Sequence, residues 1–299
     1  MMRKAIHIGS PTRIRIQNKQ FIITGEDGVD HSRPIEDYHM LVLDHPQVSL
    51  TIPTLLECLT QNVSLTVCDE RHLPLGVWMP LYANTMATHK TNSQLESSKP
   101  LKKIIWQKVI VSKIRNQALV MKRWGLPYKY LQEAANSVRS GDSSNIEGQA
   151  AAYYWRRLFP GQDFVRDRFG DFPNTMLNYG YAIIRAAVAR CLLGAGLFPI
   201  MGINHKNTYN PLCLADDMME PFRPFVDNCV KQLMGDGQNN SEHQLSMASR
   251  KSLLSILEMD VLIGSETKPM QLAMQSMCYS LSKCFEEGSG TQLKLPILQ

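Results

Sequence analysis

The segment GINHKNTYNPLCLADDMMEPFRPFVD, residues 202–227, sets His205, Asp216, Asp217 and Glu220 among Leu, Met and Phe side chains suited to core packing. A carboxylate taken out of water needs a compensating charge or a full set of hydrogen bonds. An imidazole nitrogen with carboxylate oxygens is a donor set for a divalent cation such as Mg2+ or Mn2+. Asn210-Pro211 reads as a helix start, with Asn capping free amides and Pro tolerated in the first turn. The helix is expected to run through residues 212–220 until Pro221 and Pro224 kink or end it. On it Asp217 and Glu220 stand three residues apart, so their carboxylates share a face. His205 precedes it in a Gly- and Asn-containing loop able to fold back over that face. A plainer reading stands beside this one: His205 as a hydrogen-bonding loop residue, and Asp216 and Asp217 as early-helix acids favoured by the dipole.

A second acid lies upstream, in SGDSSNIEGQAAAYYWRRLF. Ser144-Asn145-Ile146-Glu147 has the spacing of a capping box, in which Glu147 reaches back to the amide of Ser144. Gly148 follows directly and is a poor helix former, better suited where a backbone or ligand comes close. Both readings stay open. If Glu147 joined His205 and Glu220, three separate segments would meet at one point.

The elements that must position these residues change character along the chain. Up to residue 80 the pattern is β: Ile6 and Ile8 flank His7, and Arg13-Ile14-Arg15-Ile16 alternates. Phe21-Ile22-Ile23-Thr24 returns after the polar turn Gln17-Asn18-Lys19-Gln20 as a hairpin. MLVLD (40–44), VSLTI (48–52) and VSLTVCD (63–69) add β-branched runs, with one short helix between the last two. Residues 81–100 lose periodicity and gain Asn, Thr, Ser and Gln, the composition of a linker. From 101 to 299 the period is helical, broken by GDGQNNSEH as a loop. The expected architecture is α+β and multidomain, a small N-terminal β domain followed by a larger all-α catalytic domain.

At 299 residues, 44% apolar and 20% charged, the chain can bury a sizeable core and is not of disordered composition. Its net charge of +5 is unevenly spread. Lys99, Lys102, Lys103, Lys108, Lys113, Arg115, Lys122, Arg123 and Lys129 follow one another with no Asp or Glu until Glu133. This one-signed run predicts an anionic partner, nucleic acid first, held by phosphate contacts that give affinity and register. The alternative is a merely solvated helix face. The cysteines lack Cys-x-x-Cys spacing, which points to free thiols in a reducing compartment. Neither a secretory signal nor a run long enough to span a bilayer is visible, so a cytoplasmic location is expected.

Ile146-Glu147-Gly148, then LNYGYAIIRAAVARCLLGAGLFPIMGINH (177–205), then PLCLADDMMEPFRPFVD (211–227), together resemble the CRISPR-associated spacer-acquisition integrase and endonuclease family. The N-terminal pattern through VSLTVCDERHLPLG resembles it too, so the match covers nearly the whole chain.

The resemblance implies a prokaryotic enzyme that joins the 3′-hydroxyl of a captured DNA fragment to a phosphodiester at the edge of a CRISPR repeat. Water in place of the hydroxyl would give nicking. It implies Mg2+ or Mn2+ bound by a Glu, a His and an acid, which map onto Glu147, His205 and Glu220, with Asp217 a supporting group. Glu rather than Asp at the last position resembles the subtype that works beside a single large RNA-guided nuclease. It further implies a homodimer formed through the N-terminal domain, and two dimers clasping a small dimeric partner as a heterohexamer. Double-stranded DNA, both incoming fragment and repeat, would be the substrate. Lys206 and Arg223 are candidate phosphate contacts with Lys102, Lys103, Lys108, Lys113, Arg115, Lys122 and Arg123. A non-catalytic DNA-binding scaffold and a hydrolase of small phosphoesters are the competing readings.

Overall fold

The computed structural model describes residues 3–80, 84–159, 164–235 and 245–299. Strands β1 (Lys4–Ile8), β2 (Thr12–Gln17), β3 (Gln20–Thr24), β4 (Asp30–Pro34), β5 (Tyr38–Leu43) and β6 (Val48–Leu50) precede helix α1 (Ile52–Thr60) and strands β7 (Ser64–Cys68) and β8 (Pro74–Trp78). They form two four-stranded sheets, in the orders β1-β5-β7-β8 and β4-β3-β2-β6. The β2–β3 turn places Asn18 and Lys19 at φ 49° and 57°, the left-handed pair that matches the twist of a tight hairpin. β4 and β8 are edge strands that the periodicity did not show. DHSRP is exposed throughout and PLGVW carries Pro and Gly, so neither alternates.

β5 explains how the strand region meets the rest. Its side chains alternate, Leu41 and Leu43 packing into the core between the sheets and Met40 and Val42 into the helical core. Arg250, from the helical region, reaches back to the buried Asp44 at 2.5 Å.

The helical part comprises α2 (Ala87–Glu96), α3 (Lys99–Arg123), α4 (Lys129–Ser137), α5 (Ile146–Leu158), α6 (Asn174–Gly194), α7 (Cys213–Met219), α8 (Arg223–Gly235), α9 (Met247–Ser255) and α10 (Met270–Glu287). Two expectations are corrected here. The C-terminal part is not all-α, because β9 (Asp260–Ile263), β10 (Glu266–Pro269) and β11 (Pro296–Ile297) form a three-stranded sheet. Nor is 81–100 an unstructured linker. Residues 81–83 lie outside the described residues, but α2 occupies 87–96 and α3 begins at Lys99. Polar composition hid α2 because one buried amide anchors it. Gln94 Nε2 donates to the carbonyls of Phe198 and Met201 at 3.0 Å each, and its Oε1 accepts the amide of Phe198 at 2.9 Å. The loop expected at GDGQNNSEH lies almost wholly outside the described residues. Among the described residues no helix is long and apolar enough to cross a membrane.

α3, about 37 Å long at 1.5 Å per residue, runs through the helical core. Ser98 caps it by accepting the amide of Leu101, and Ile105, Val109, Ile110 and Ile114 are fully buried along it. α6 and α8 pack tightly beside it. A methyl group at Gly180 of α6 would stand 2.5 Å from Val226 Cγ1 of α8. Gly180→Ala is therefore expected to force the two helices apart and to cost about 1–3 kcal/mol in urea denaturation.

Candidate functional site

The turn after α6 is folded around one carboxylate. Asp217 of α7 is fully buried. Its Oδ2 accepts the amides of Ile203 at 2.5 Å and Asn204 at 2.9 Å, and its Oδ1 accepts that of His205 at 3.1 Å. Oδ1 also takes a hydrogen bond from His205 Nδ1 at 2.6 Å. A carboxylate can only accept, so Nδ1 carries the proton and Nε2 is the ring nitrogen left for a ligand. That bond is the chief cause of a raised His205 pKa, with Asp217, Glu220 and Asp216 charges adding to it against burial. Trp106 of α3 meets the imidazole edge-on, ring centroids 5.9 Å apart. Gly202 is required for the close approach, since a Cβ there would lie 2.3 Å from the carbonyl oxygen of His205. Asp217 thus holds the histidine in place, while Asp216 pairs with Arg185 Nε at 2.6 Å. α7 starts at Cys213, later than Asn210-Pro211 suggested. Asn210 instead takes the amide of Leu212 and a guanidinium hydrogen bond from Arg185.

As expected, the α-helix breaks at the prolines: α7 stops at Met219, with Pro221 in the turn that follows. The chain passes through a single 3-10 turn, Glu220–Phe222, into α8. Glu220 begins that turn with its side chain only 4% exposed, and two cations face it: Arg223 Nε lies 3.0 Å from Oε1 and Lys113 Nζ 2.6 Å from Oε2. Burial works against the carboxylate, but Arg223 and Lys113 together hold its pKa below the usual range. Arg223 also lies over the Tyr181 ring, 4.7 Å from its centroid. Behind it, Tyr181 and Tyr154 hydrogen-bond the buried Asp227, whose pKa burial pushes up to about 7.

Glu147 comes to the same place from α5. Its Oε1 accepts a hydrogen bond from Lys113 Nζ at 2.5 Å. The capping-box reading is corrected. The cap is Asn145, whose side chain accepts the amide of Gly148, while Asp142 takes the amides of Ile146 and Glu147. Gly148 admits that cap, because a Cβ would sit 2.8 Å from the Asn145 amide. Freed from capping, the Glu147 side chain points at α3.

Glu147 and Glu220 therefore share one cationic point, and His205 lies close enough for its charge and that of Glu220 to influence each other. Oxygen and imidazole donors suit Mg2+ or Mn2+, and the Lys113 ammonium shows that the point accepts a cation between the two carboxylates. As arranged, among the described residues no group of three or more His, Cys, Asp or Glu is positioned to hold a metal ion. In chemistry, though not in this arrangement, two carboxylates and an imidazole nitrogen are the donor types such an ion takes.

The basic run divides. Lys113 is buried at the carboxylate pair and Lys108 donates to the Gly290 carbonyl at 2.7 Å, whereas Lys99, Arg115, Lys122, Arg123 and Lys129 are exposed, Arg123 also donating to the carbonyl of Gln299. Arg115 reaches Asn136 and Lys122 lies near the Tyr128 ring. Lys103 is exposed. Lys102 and Lys206 stand near one another beside the histidine loop, since burial and then the Lys206 charge lower the Lys102 pKa. Of the basic candidates, sequence could find Lys113 only as one more lysine of the run. Its spacing from buried Ile110, Ile114 and Gln117 was the available signal.

The sequence profile of the family described as "CRISPR associated protein Cas1" matches residues 6–258. The chain is 35% identical over 298 residues to a CRISPR-associated endonuclease Cas1 of Neisseria meningitidis serogroup C (strain 8013), covering 99% of this chain and 96% of the relative. Among solved structures it is similar in fold to a casposase bound to integration product, with TM-score 0.80, 20% identity, and 97% and 92% of the two chains covered. It also resembles a Cas6-RT-Cas1–Cas2 complex, with TM-score 0.75 and 19% identity, over 99% of this chain and 36% of that one.

The Asp217–His205 bond has a pH signature. A histidine pKa raised above 6.5 in the folded protein adds stability below that value, which is lost as pH rises through the folded pKa. The advantage of the native protein over Asp217→Asn should be larger at about pH 6 than at about pH 9 in chemical denaturation. NMR titration should show the His205 pKa falling back in the variant.

Proposed function

Because the chain belongs to the CRISPR-associated Cas1 family, we propose that it is a divalent-metal-dependent DNA endonuclease and integrase of CRISPR adaptation. The observation that carries the reading is the convergence of Glu147 and Glu220, from α5 and the turn before α8, on one cationic point beside a histidine fixed by Asp217. Glu147, Glu220 and the Nε2 of His205 would hold Mg2+ or Mn2+. When bound, that ion supplies Lewis-acid polarisation of a phosphodiester and stabilises charge on its oxygens.

The remaining work falls to the chain's own side chains. Asp217 fixes the ring and its tautomer, so that Nε2 is presented without a rotamer search. Arg223, braced between Glu220 and Tyr181, offers guanidinium hydrogens to a phosphate oxygen. Lys102 and Lys206 place positive charge where a DNA backbone would approach His205, giving salt-sensitive affinity. The 3′-hydroxyl of an incoming fragment would attack phosphorus at the repeat edge. The new P–O bond joins fragment to repeat while the old one leaves as a 3′-hydroxyl, and the step then repeats on the other strand. Water as nucleophile would give the nick.

A homodimer, a small dimeric partner clasped as a heterohexamer, and cooperation with an RNA-guided effector nuclease belong to the same proposal. The neighbouring Cas6-RT-Cas1–Cas2 complex supports a Cas2-type partner. A non-catalytic DNA-binding scaffold remains the second reading, favoured by the way Lys113 already neutralises both glutamates.

One assay separates the two. Glu147→Ala, His205→Ala and Glu220→Ala should each reduce oligonucleotide joining to a repeat-containing target, in Mg2+ or Mn2+, to background while DNA binding persists. Joining undiminished in all three would overturn the enzymatic reading, and absence of joining by the native protein with any metal would favour the scaffold.

A further inference from the structure

The point between Glu147 and Glu220 is held by a cation of the protein's own. Lys113 Nζ stands 2.5 Å from one carboxylate and 2.6 Å from the other, and its side chain is 11% exposed. It sits midway along α3 with Ile110, Ile114 and Gln117 buried around it. A lysine is rarely placed so deep unless paired, and here it is paired twice. Two carboxylates within salt-bridge distance of the one nitrogen favour its ammonium form. With Arg223 the group is a neutral quartet, two carboxylates against two cations.

We propose that Lys113 is the resident counter-ion of the metal site: its ammonium and a divalent cation occupy the point between Glu147 and Glu220 in turn, so that metal entry expels Lys113. This rests on the metal-dependent reading given above. A dication added to a neutral quartet would leave two net positive charges in a poorly solvated space, whereas exchange for the ammonium leaves one. Lys113 is the partner able to leave. Arg223 is braced over Tyr181 beside its own Glu220, while Lys113 is a point charge on a flexible four-carbon stem. The route out lies at Glu147, whose side chain is 28% exposed against 4% for Glu220. Lys113 is a positioning residue in this scheme. It keeps two like charges together at the site and sets the metal affinity by competing for it.

The test uses the full-length protein. Mn2+ binding is measured by calorimetry on the native chain, Lys113→Met, Lys113→Arg and His205→Ala. Lysine acylation read by mass spectrometry follows Lys113 with and without Mn2+, with Lys122 and Lys129 as internal controls. Lys113→Met should bind Mn2+ about tenfold more tightly or better, because no occupant must first be displaced. It should melt lower than the native chain in chelator and gain more on adding Mn2+. Lys113→Arg should gain no affinity. In the native chain, saturating Mn2+ should raise Lys113 acylation severalfold with the controls unchanged. This measurement decides the matter alone if the Met variant does not fold. Should Mn2+ bind in a His205-dependent way with Lys113 acylation and Lys113→Met affinity both unchanged, the exchange is overturned and the metal reading stands. Absence of Mn2+ binding in both native and Met proteins would overturn both.

Discussion

Two carboxylates in the helical core, Glu220 and Asp217, have to be neutralised or fully hydrogen-bonded, and much of the local architecture follows from how this is done. They are three residues apart yet solve the problem differently. Asp217 collects three backbone amides and an imidazole, so the turn from Ile203 to His205 wraps around it. Glu220 collects two side-chain cations, Lys113 and Arg223, and so ties α3 to the start of α8. A buried carboxylate stripped of its partners is strongly destabilising, which makes both arrangements tightly determined.

The consequence for the site is geometric. His205 lies on an exposed loop, where an imidazole would normally sample several rotamers, but Asp217 pins ring and backbone together. Glu147 is set by a different device. Asp142 and Asn145 take the first amides of α5, which leaves the Glu147 carboxylate free to meet α3. Gly148 and Gly202 each permit an approach that a methyl group would block. α3, threading the core, supplies Lys113 to the carboxylates and Trp106 to the histidine. One rigid helix therefore references all three segments to a common frame.

The helical core and the strand region are linked by β5, whose alternate side chains serve two cores. α2 performs a similar service for the site, since Gln94 fixes the backbone at Phe198 and Met201, just before the histidine loop. Neither link has a strong signature in residue type. One is a single amide in a polar helix, the other an alternation that looks like any half-buried strand.

The sequence by itself determined the change from period 2 to helical period, the hairpin at Asn18-Lys19, and the unusual set of His205, Asp217 and Glu220 within an apolar segment. It also carried the motifs that resemble the Cas1 family, because these lie in contiguous stretches. What it could not express was long-range pairing. Ser144-Asn145-Ile146-Glu147 satisfies a capping box in one dimension, and only the arrival of Lys113 from α3, 34 residues away, draws the glutamate elsewhere. In the same way Lys113 is indistinguishable from its basic neighbours until the fold surrounds it with carboxylates. Edge strands β4 and β8 and the small C-terminal sheet escaped because their exposed or very short segments carry too little periodicity. Local pattern sets which element forms, but which charges meet inside a core depends on contacts between segments far apart in the chain, and these exist only once the helices have packed.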